Sequence, residues 1–159
     1  MNKHSMIFIG LDTHKEFHEV AYCEEQRGAS AVHYGRIPSS KVSVKKLIRQ
    51  FESKYPGATI HVVYEAGPCG YWIYRLITSL GHCCYVVAPS LIPKKPGEHI
   101  KTDRRDAQGI ARLLQMGWYR PVHRKSVSSQ EIRALLSARK SIQQAIINIE
   151  LSMRGVLRN

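Results

Sequence analysis

Three apolar runs near the start of the chain, Met6 to Leu11, Phe17 to Cys23 and Ala31 to Ile37, stand too close together for helices to fit between them. Parallel neighbours need a crossover of a dozen or more residues, so these runs predict an antiparallel meander. The first, MIFIGL, has no polar break and reads as a buried strand that ends at Asp12. The second alternates loosely, and the third follows the turn-like Gln26-Arg27-Gly28. After Pro38, Ser39 and Ser40 the period changes. Val44, Leu47, Ile48 and Phe51 fall on one face of a helix predicted over Val42 to Tyr55, which Pro56-Gly57 stops. A strand, TIHVVY, then ends at Glu65, and AGPCG leads into a second helix from about Pro68 or Cys69 to Ser79. Gly81 caps it, and His82 to Ala88 forms a further strand. Strand–helix–strand–helix–strand after a meander predicts an α/β domain with a mixed sheet.

The remainder of the chain is read as follows. Pro89 to Ile100 is a loop or a short interrupted helix, and KTDRRDA, Lys101 to Ala107, opens a third helix that closes near Gly117. Trp118 to Val127 is basic and irregular, as expected of a linker. From about Ser128 to Arg158 runs one long helix, in which Ile132, Leu135, Ile142, Ile146, Ile149, Met153 and Val156 follow a 3, 4 spacing with Arg139 interrupting the seam. That pattern predicts either a coiled coil and self-association or a single helix lying on the domain's own surface.

Charge narrows the class of partner. The 159 residues carry 24 Lys+Arg against 12 Asp+Glu, a formal net charge of +12, which favours a polyanion, nucleic acid before an anionic membrane. No apolar run approaches the ~20 residues of a spanning helix, and MNKHSMIFIGLD lacks a small-residue cleavage site; the expectation is a cytoplasmic, nucleoid-associated protein. Cys23, Cys69, Cys83 and Cys84 form no CxxC, and the adjacent pair must point to opposite faces of a strand, so reduced thiols are expected rather than a zinc cluster.

Against this basic background the chain has three aspartates, Asp12, Asp103 and Asp106. Asp12 falls at the end of the first strand and Glu65 at the end of the strand expected beside it, where ligand crevices form in such sheets. Asp103 and Asp106 are three apart at a helix start and share a face. Four carboxylates there would repel unless neutralised, and Mg2+ or Mn2+ is the fitting occupant. The plain structural alternative makes Asp103 an N-cap and Asp106 the acid three residues on. Lys15, Lys94, Lys95, Lys101, Arg104, Arg105 and Arg112 are the candidates for phosphate contacts, and His14 for the surroundings of the ion. Gly67 and Gly70 suit either a phosphate at a helix start or a tight turn. Tyr71 and Trp72 read as core.

FIGLDTHK (Phe8 to Lys15), YEAGPCGYW (Tyr64 to Trp72), the Pro-Lys-Lys-Pro loop and KTDRRDAQGIARLL (Lys101 to Leu114) together resemble the N-terminal domain of the DEDD transposases of bacterial insertion sequences, recombinases guided by a bridge RNA. The resemblance implies an RNase H-like (RuvC-like) mixed sheet with three antiparallel N-terminal strands flanked by helices, plus a long C-terminal coiled-coil-like helix. It implies Asp12, Glu65, Asp103 and Asp106 as the catalytic, metal-binding DEDD set, with DNA and a guide RNA as partners and a homo-oligomer formed through the helix. Residues 1–120 would be the RuvC-like domain and 121–159 the basic linker and long helix. The family's second, serine-bearing domain is not represented, so the chain is expected to be a fragment that is inactive alone. Competing expectations are a non-catalytic nucleic-acid-binding fragment, a Holliday-junction-type nuclease and, more remotely, an actin-like ATPase, whose phosphate loop is poorly matched by Thr13-His14-Lys15.

Overall fold

The computed structural model describes residues 5–26, 29–67, 69–88, 102–123 and 126–157. Its elements are β1 (Met6–Thr13), β2 (Phe17–Glu24), β3 (Val32–Pro38), α1 (Lys41–Lys54), β4 (Thr59–Glu65), α2 (Trp72–Ser79), β5 (Cys83–Val87), α3 (Asp103–Gln115) and α4 (Val127–Leu157). The strands form one sheet in the order β3-β2-β1-β4-β5. β1, β2 and β3 run antiparallel, while β4 and β5 extend the sheet parallel to β1. The tight hairpin, in which the His14 amide donates to the Phe17 carbonyl at 2.9 Å, accounts for the meander. The helices after β3 and β4 supply the crossovers that the parallel strands require.

Alternation along the strands divides the core between two faces. Ile7, Ile9, Leu11, Val20, Ile60, Val62 and Tyr64 meet Val44, Leu47, Ile48 and Phe51 of α1 and Ile73 and Ile77 of α2. Phe8, Ala21, Cys23, Val63 and Val87 meet Ala107, Ile110, Ala111 and Leu114 of α3 on the opposite face. Ser40 caps α1, accepting from the Ser43 amide at 3.1 Å. Cys83 is exposed and Cys84 buried, as neighbours on a strand must be, and all four thiols are free. Among the described residues, no helix is long and apolar enough to cross a membrane.

The structure departs from the sequence expectations in three places. β1 continues through Asp12 to Thr13, because its pairing with β2 persists to Asp12–Glu19 and Thr13–His18 after its pairing with β4 has reached Leu11–Tyr64. α2 begins at Trp72 rather than at Pro68 or Cys69: Gly70, at φ 58°, closes a turn with its amide on the Gly67 carbonyl at 3.0 Å, and Tyr64 Oη donates to the Gly70 carbonyl at 2.8 Å. The segment expected as an irregular linker crossing a surface bridges to the sheet. Pro121 bridges to Val87, and the Val122 amide donates to the Val86 carbonyl at 2.8 Å. Pro89 to Ile100, including Lys94 and Lys95, lies outside the described residues, as does Lys101.

Residues 1–122 and 123–159 are two compact units. In the second, α4 is a 31-residue helix none of whose residues is buried. Ser126 begins it, accepting from the Ser129 amide at 3.1 Å.

One contact sets the depth of α3 on the sheet. A Cβ at Gly10 would stand 2.5 Å from both the Ala107 carbonyl oxygen and the Ala111 amide nitrogen, atoms of the helix backbone that no rotamer change can move. Gly10→Ala is therefore expected to push α3 outward and to destabilise the domain by about 1–3 kcal/mol or more, as overpacking does. Gly109→Ala, where an added Cβ meets nothing within 4 Å, should be neutral or stabilising. Urea unfolding of the two variants measures the contrast.

Candidate metal centre

The seat of α3 on Gly10 determines which residues meet. Gly10 faces Ala107 and Ala111, so the helix descends toward its own start as β1 proceeds. Two residues further along β1 is Asp12, on the same face as Gly10, and one turn back along α3 from Ala107 is Asp103. Glu65 lies one residue beyond the Leu11–Tyr64 pair on β4, as Asp12 does on β1, and alternation from Val63 assigns it to the α3 face as well.

Among the described residues, Asp12, His14 and Asp103 each offer a ligand atom, and these atoms lie within 4.8 Å of one another. His14 Nε2 is 3.2 Å from Asp12 Oδ2 and 3.7 Å from Asp103 Oδ2. The His14 ring is stacked on Phe17, with centroids 4.5 Å apart, which fixes its plane. Burial raises the Asp12 carboxyl above the ordinary carboxylate range; the charge and hydrogen bond of His14 oppose this, and the nearby charges of Asp106 and Asp103 add to it. Asp106 is thus close enough to act on Asp12 electrostatically. Neither it nor Glu65 belongs to the three-residue group.

The capping alternative for the α3 acids does not describe this helix. Thr102 is the N-cap and accepts from the Arg105 amide at 3.3 Å, so Asp103 occupies the first helical position and Asp106 the fourth. A hydroxyl performs the capping, and both acids still enjoy the favourable end of the helix dipole. Of the basic candidates, Lys15, Arg104 and Arg105 are exposed close to the acids in sequence, whereas Arg112 lies in the last turn of α3, toward Cys23, and does not join them. Gly67 and Gly70 form the tight turn already described, and Tyr71 and Trp72 pack half-buried against the core.

Two participants had no signal in the sequence reading. Glu19 of β2 sits directly opposite Asp12, and Arg36 of β3 reaches both Glu19 and Asp103, with Nε 2.9 Å from Glu19 Oε2 and Nη2 3.4 Å from Asp103 Oδ2. The register of a meander would have to be known to find them, and a one-residue slip would reverse the outcome.

The donor set fits a divalent ion: two carboxylates from separate elements with an imidazole beside them, in surroundings that disfavour the negative charge of Asp12. The same physics has a stability consequence. The folded-state pKa of Asp12 is raised, so its carboxylate opposes folding at neutral pH, and the penalty disappears as pH falls and the group protonates. In EDTA at pH 7, Asp12→Asn should therefore melt above the wild type. The difference should close as pH falls below the ordinary carboxylate range; a wild type that melts at or above the variant at pH 7 would contradict this.

Residues 9–159 match the model of the IS110-type DEDD transposase family, described as a transposase. The "Putative transposase y4qE" of Sinorhizobium fredii (strain NBRC 101917 / NGR234) is 40% identical over 139 residues, covering 87% of this chain and 35% of that protein. The transposase for insertion sequence element IS1533 of Leptospira borgpetersenii is 37% identical over 109 residues, covering 69% of this chain and 31% of its own length. The chain thus spans about a third of the length of these curated relatives. Among solved structures, T. thermophilus RuvC in complex with a Holliday junction substrate has a TM-score of 0.47 at 13% identity, covering 74% of this chain and 99% of that one. The large terminase nuclease of the thermophilic phage G20c has a TM-score of 0.40 at 15% identity, with 72% and 56% covered. The mixed sheet, three antiparallel and two parallel strands in the order β3-β2-β1-β4-β5, has the RNase H-like arrangement, and by the matched family model the chain belongs to the IS110-type family of DEDD transposases.

Proposed function

We propose that this domain is the carboxylate-bearing catalytic domain of an insertion-sequence transposase that cleaves and exchanges DNA strands, with Mg2+ or Mn2+ held at the head of α3. The observation that carries this reading is the meeting of Asp12 from β1 and Asp103 from α3 within one cation's reach, in a chain of a transposase family. Asp12 and Asp103 hold the ion, and Asp106 and Glu65, at the same end of the sheet, complete the DEDD set. When bound, the ion supplies Lewis-acid stabilisation of charge on the scissile phosphate and activation of the attacking oxygen. His14 holds the Asp12 carboxylate through its Nε2, 3.2 Å from Oδ2. Lys15, Arg104 and Arg105 bear on the phosphodiester backbone; Lys94, Lys95 and Lys101 are further candidates from the sequence alone. DNA is the substrate, and a guide RNA is the second partner on the strength of the family resemblance.

Calorimetric titration with Mn2+ tests the centre directly. Wild type should bind, whereas Asp12→Asn and Asp103→Asn should lose at least ten-fold in affinity, the scale expected when a ligand or its close support is removed. Equal affinity in all three would sink the assignment.

The second unit carries its own proposal. Ile132, Leu135, Ile142, Ile146, Ile149, Met153 and Val156 are each at least half exposed on α4, and their 3, 4 spacing is that of a coiled-coil seam. Self-association through α4 buries them against a second copy. Sedimentation should report a dimer or larger species for the wild type and a monomer for an Ile142→Gln, Ile146→Gln, Ile149→Gln triple variant, and a monomeric wild type would refute it.

A further inference from the structure

A row of charge crosses the sheet at one register: Asp12 of β1 opposes Glu19 of β2, which opposes Arg36 of β3. Carboxylates directly opposite one another are destabilising unless one is neutralised. Glu19 is neutralised by Arg36, whose Nε is 2.9 Å from Oε2, and is hydrogen-bonded at Oε1 to His33 Nε2 at 2.6 Å, and its side chain is only 8% exposed. Its charge is thereby committed to β3 and is not a further member of the acid cluster.

A bulge explains how His33 and Arg36, three residues apart, reach one carboxylate. Arg36 opposes Glu19 and Gly35 opposes Val20, but the residue opposing Ala21 is His33. Tyr34 is the extra residue of the bulge, and His33 is thereby restored to the face that Arg36 uses. Gly35, at φ 130°, supplies a backbone conformation that side-chain-bearing residues rarely adopt. Arg36 is further held by its guanidinium lying 3.7 Å from the centre of the Phe17 ring. Its remaining reach is to Asp103, where Nη2 stands 3.4 Å from Oδ2.

We propose that the bulge in β3 builds a clamp, Glu19 and Phe17 holding Arg36 while His33 bonds the other oxygen of Glu19, that positions the Asp103 carboxylate for the cation; this rests on the metal-binding reading of Asp12 and Asp103. An isolated exposed ion pair contributes little. Arg36 differs because Glu19 and Phe17 already order it, so little side-chain freedom remains to be lost on meeting Asp103. Glu19 also offsets its charge, so its effect on a nearby cation is chiefly orientation. A carboxylate held at Oδ2 presents its other oxygen in a defined direction, which is how outer partners support metal ligands. Arg36 is on this account a positioning residue.

The test combines Mn2+ titration with amide hydrogen exchange on the whole chain, using wild type, Arg36→Ala, Arg36→Lys, Glu19→Gln and, as a control, Arg49→Ala on the opposite side of the sheet. Arg36→Ala and Glu19→Gln are expected to weaken Mn2+ binding about ten-fold. Arg36→Lys, which keeps the charge and loses the fork, should recover only part of the loss, and Arg49→Ala should bind as wild type does. Affinity in Arg36→Ala equal to or tighter than wild type overturns the clamp; should that variant not fold, Glu19→Gln is judged by the same two outcomes. If the wild type itself takes up no Mn2+, the metal reading fails separately and the clamp is decided by exchange at the Arg105 and Asp106 amides. Faster exchange in Arg36→Ala than in wild type upholds it, and unchanged exchange overturns it.

Discussion

The approach of α3 to the sheet at Gly10 is the contact on which the acid cluster depends. Helix and sheet usually pack through side chains, but here a strand glycine faces the backbone of Ala107 and Ala111, with Ala21 also in the seam. Small residues on both sides let the helix start descend to the level of Asp12. Without that approach, Asp103 would stand a side chain's thickness further out, and an imidazole could not lie within 4 Å of both aspartates, as His14 does. The packing link and the chemical link are thus the same contact viewed at two points one helical turn apart.

Electrostatics then works against the fold at the place where packing has brought the acids together. Asp12 is pressed by burial and by two neighbouring aspartates, with His14 opposing. Glu19, one strand away, has the opposite outcome. Burial pushes its pKa up, but the hydrogen bonds and charges of Arg36 and His33 outweigh that and leave it below the ordinary value. Two carboxylates at adjacent positions of one register row therefore have contrasting environments. One is compensated within the protein, and the other, on the proposed reading, by a bound cation, the division expected where one acid serves the architecture and the other a ligand.

How much of this could be read from the residues depended on whether the determinant was local. The strand and helix periods of β1, α1, β4 and α3 are local patterns, and their order was enough to predict the meander and the mixed sheet. The acids of β1 and α3 were legible because three aspartates stand out in a basic chain. The start of α2 was not, since the Gly67–Gly70 turn and the Tyr64 hydroxyl, rather than proline, decide where the helix begins. Thr102 was passed over as a cap because Asp103 beside it is an equally good capping residue. Glu19 and Arg36 were invisible for a deeper reason: their roles follow from cross-strand register, and in β3 that register is altered by the bulge that Gly35 permits. A bulge shifts every later side chain to the other face, and nothing in HYGRI announces it.

That same bulge connects the edge of the sheet to its centre. β3 is an outer strand, where irregularity is tolerated because only one neighbour's ladder is disturbed. By absorbing one extra residue there, the chain turns Tyr34 toward Phe51 of α1, with ring centroids 5.6 Å apart, while His33 and Arg36 face Glu19. An uninterrupted strand could not satisfy both: with Arg36 opposite Glu19, strict alternation would put His33 on the other face and leave the buried Glu19 with one partner fewer. The irregularity at the edge is therefore what allows an acid to be buried beside Asp12 without adding its charge to the acids gathered there.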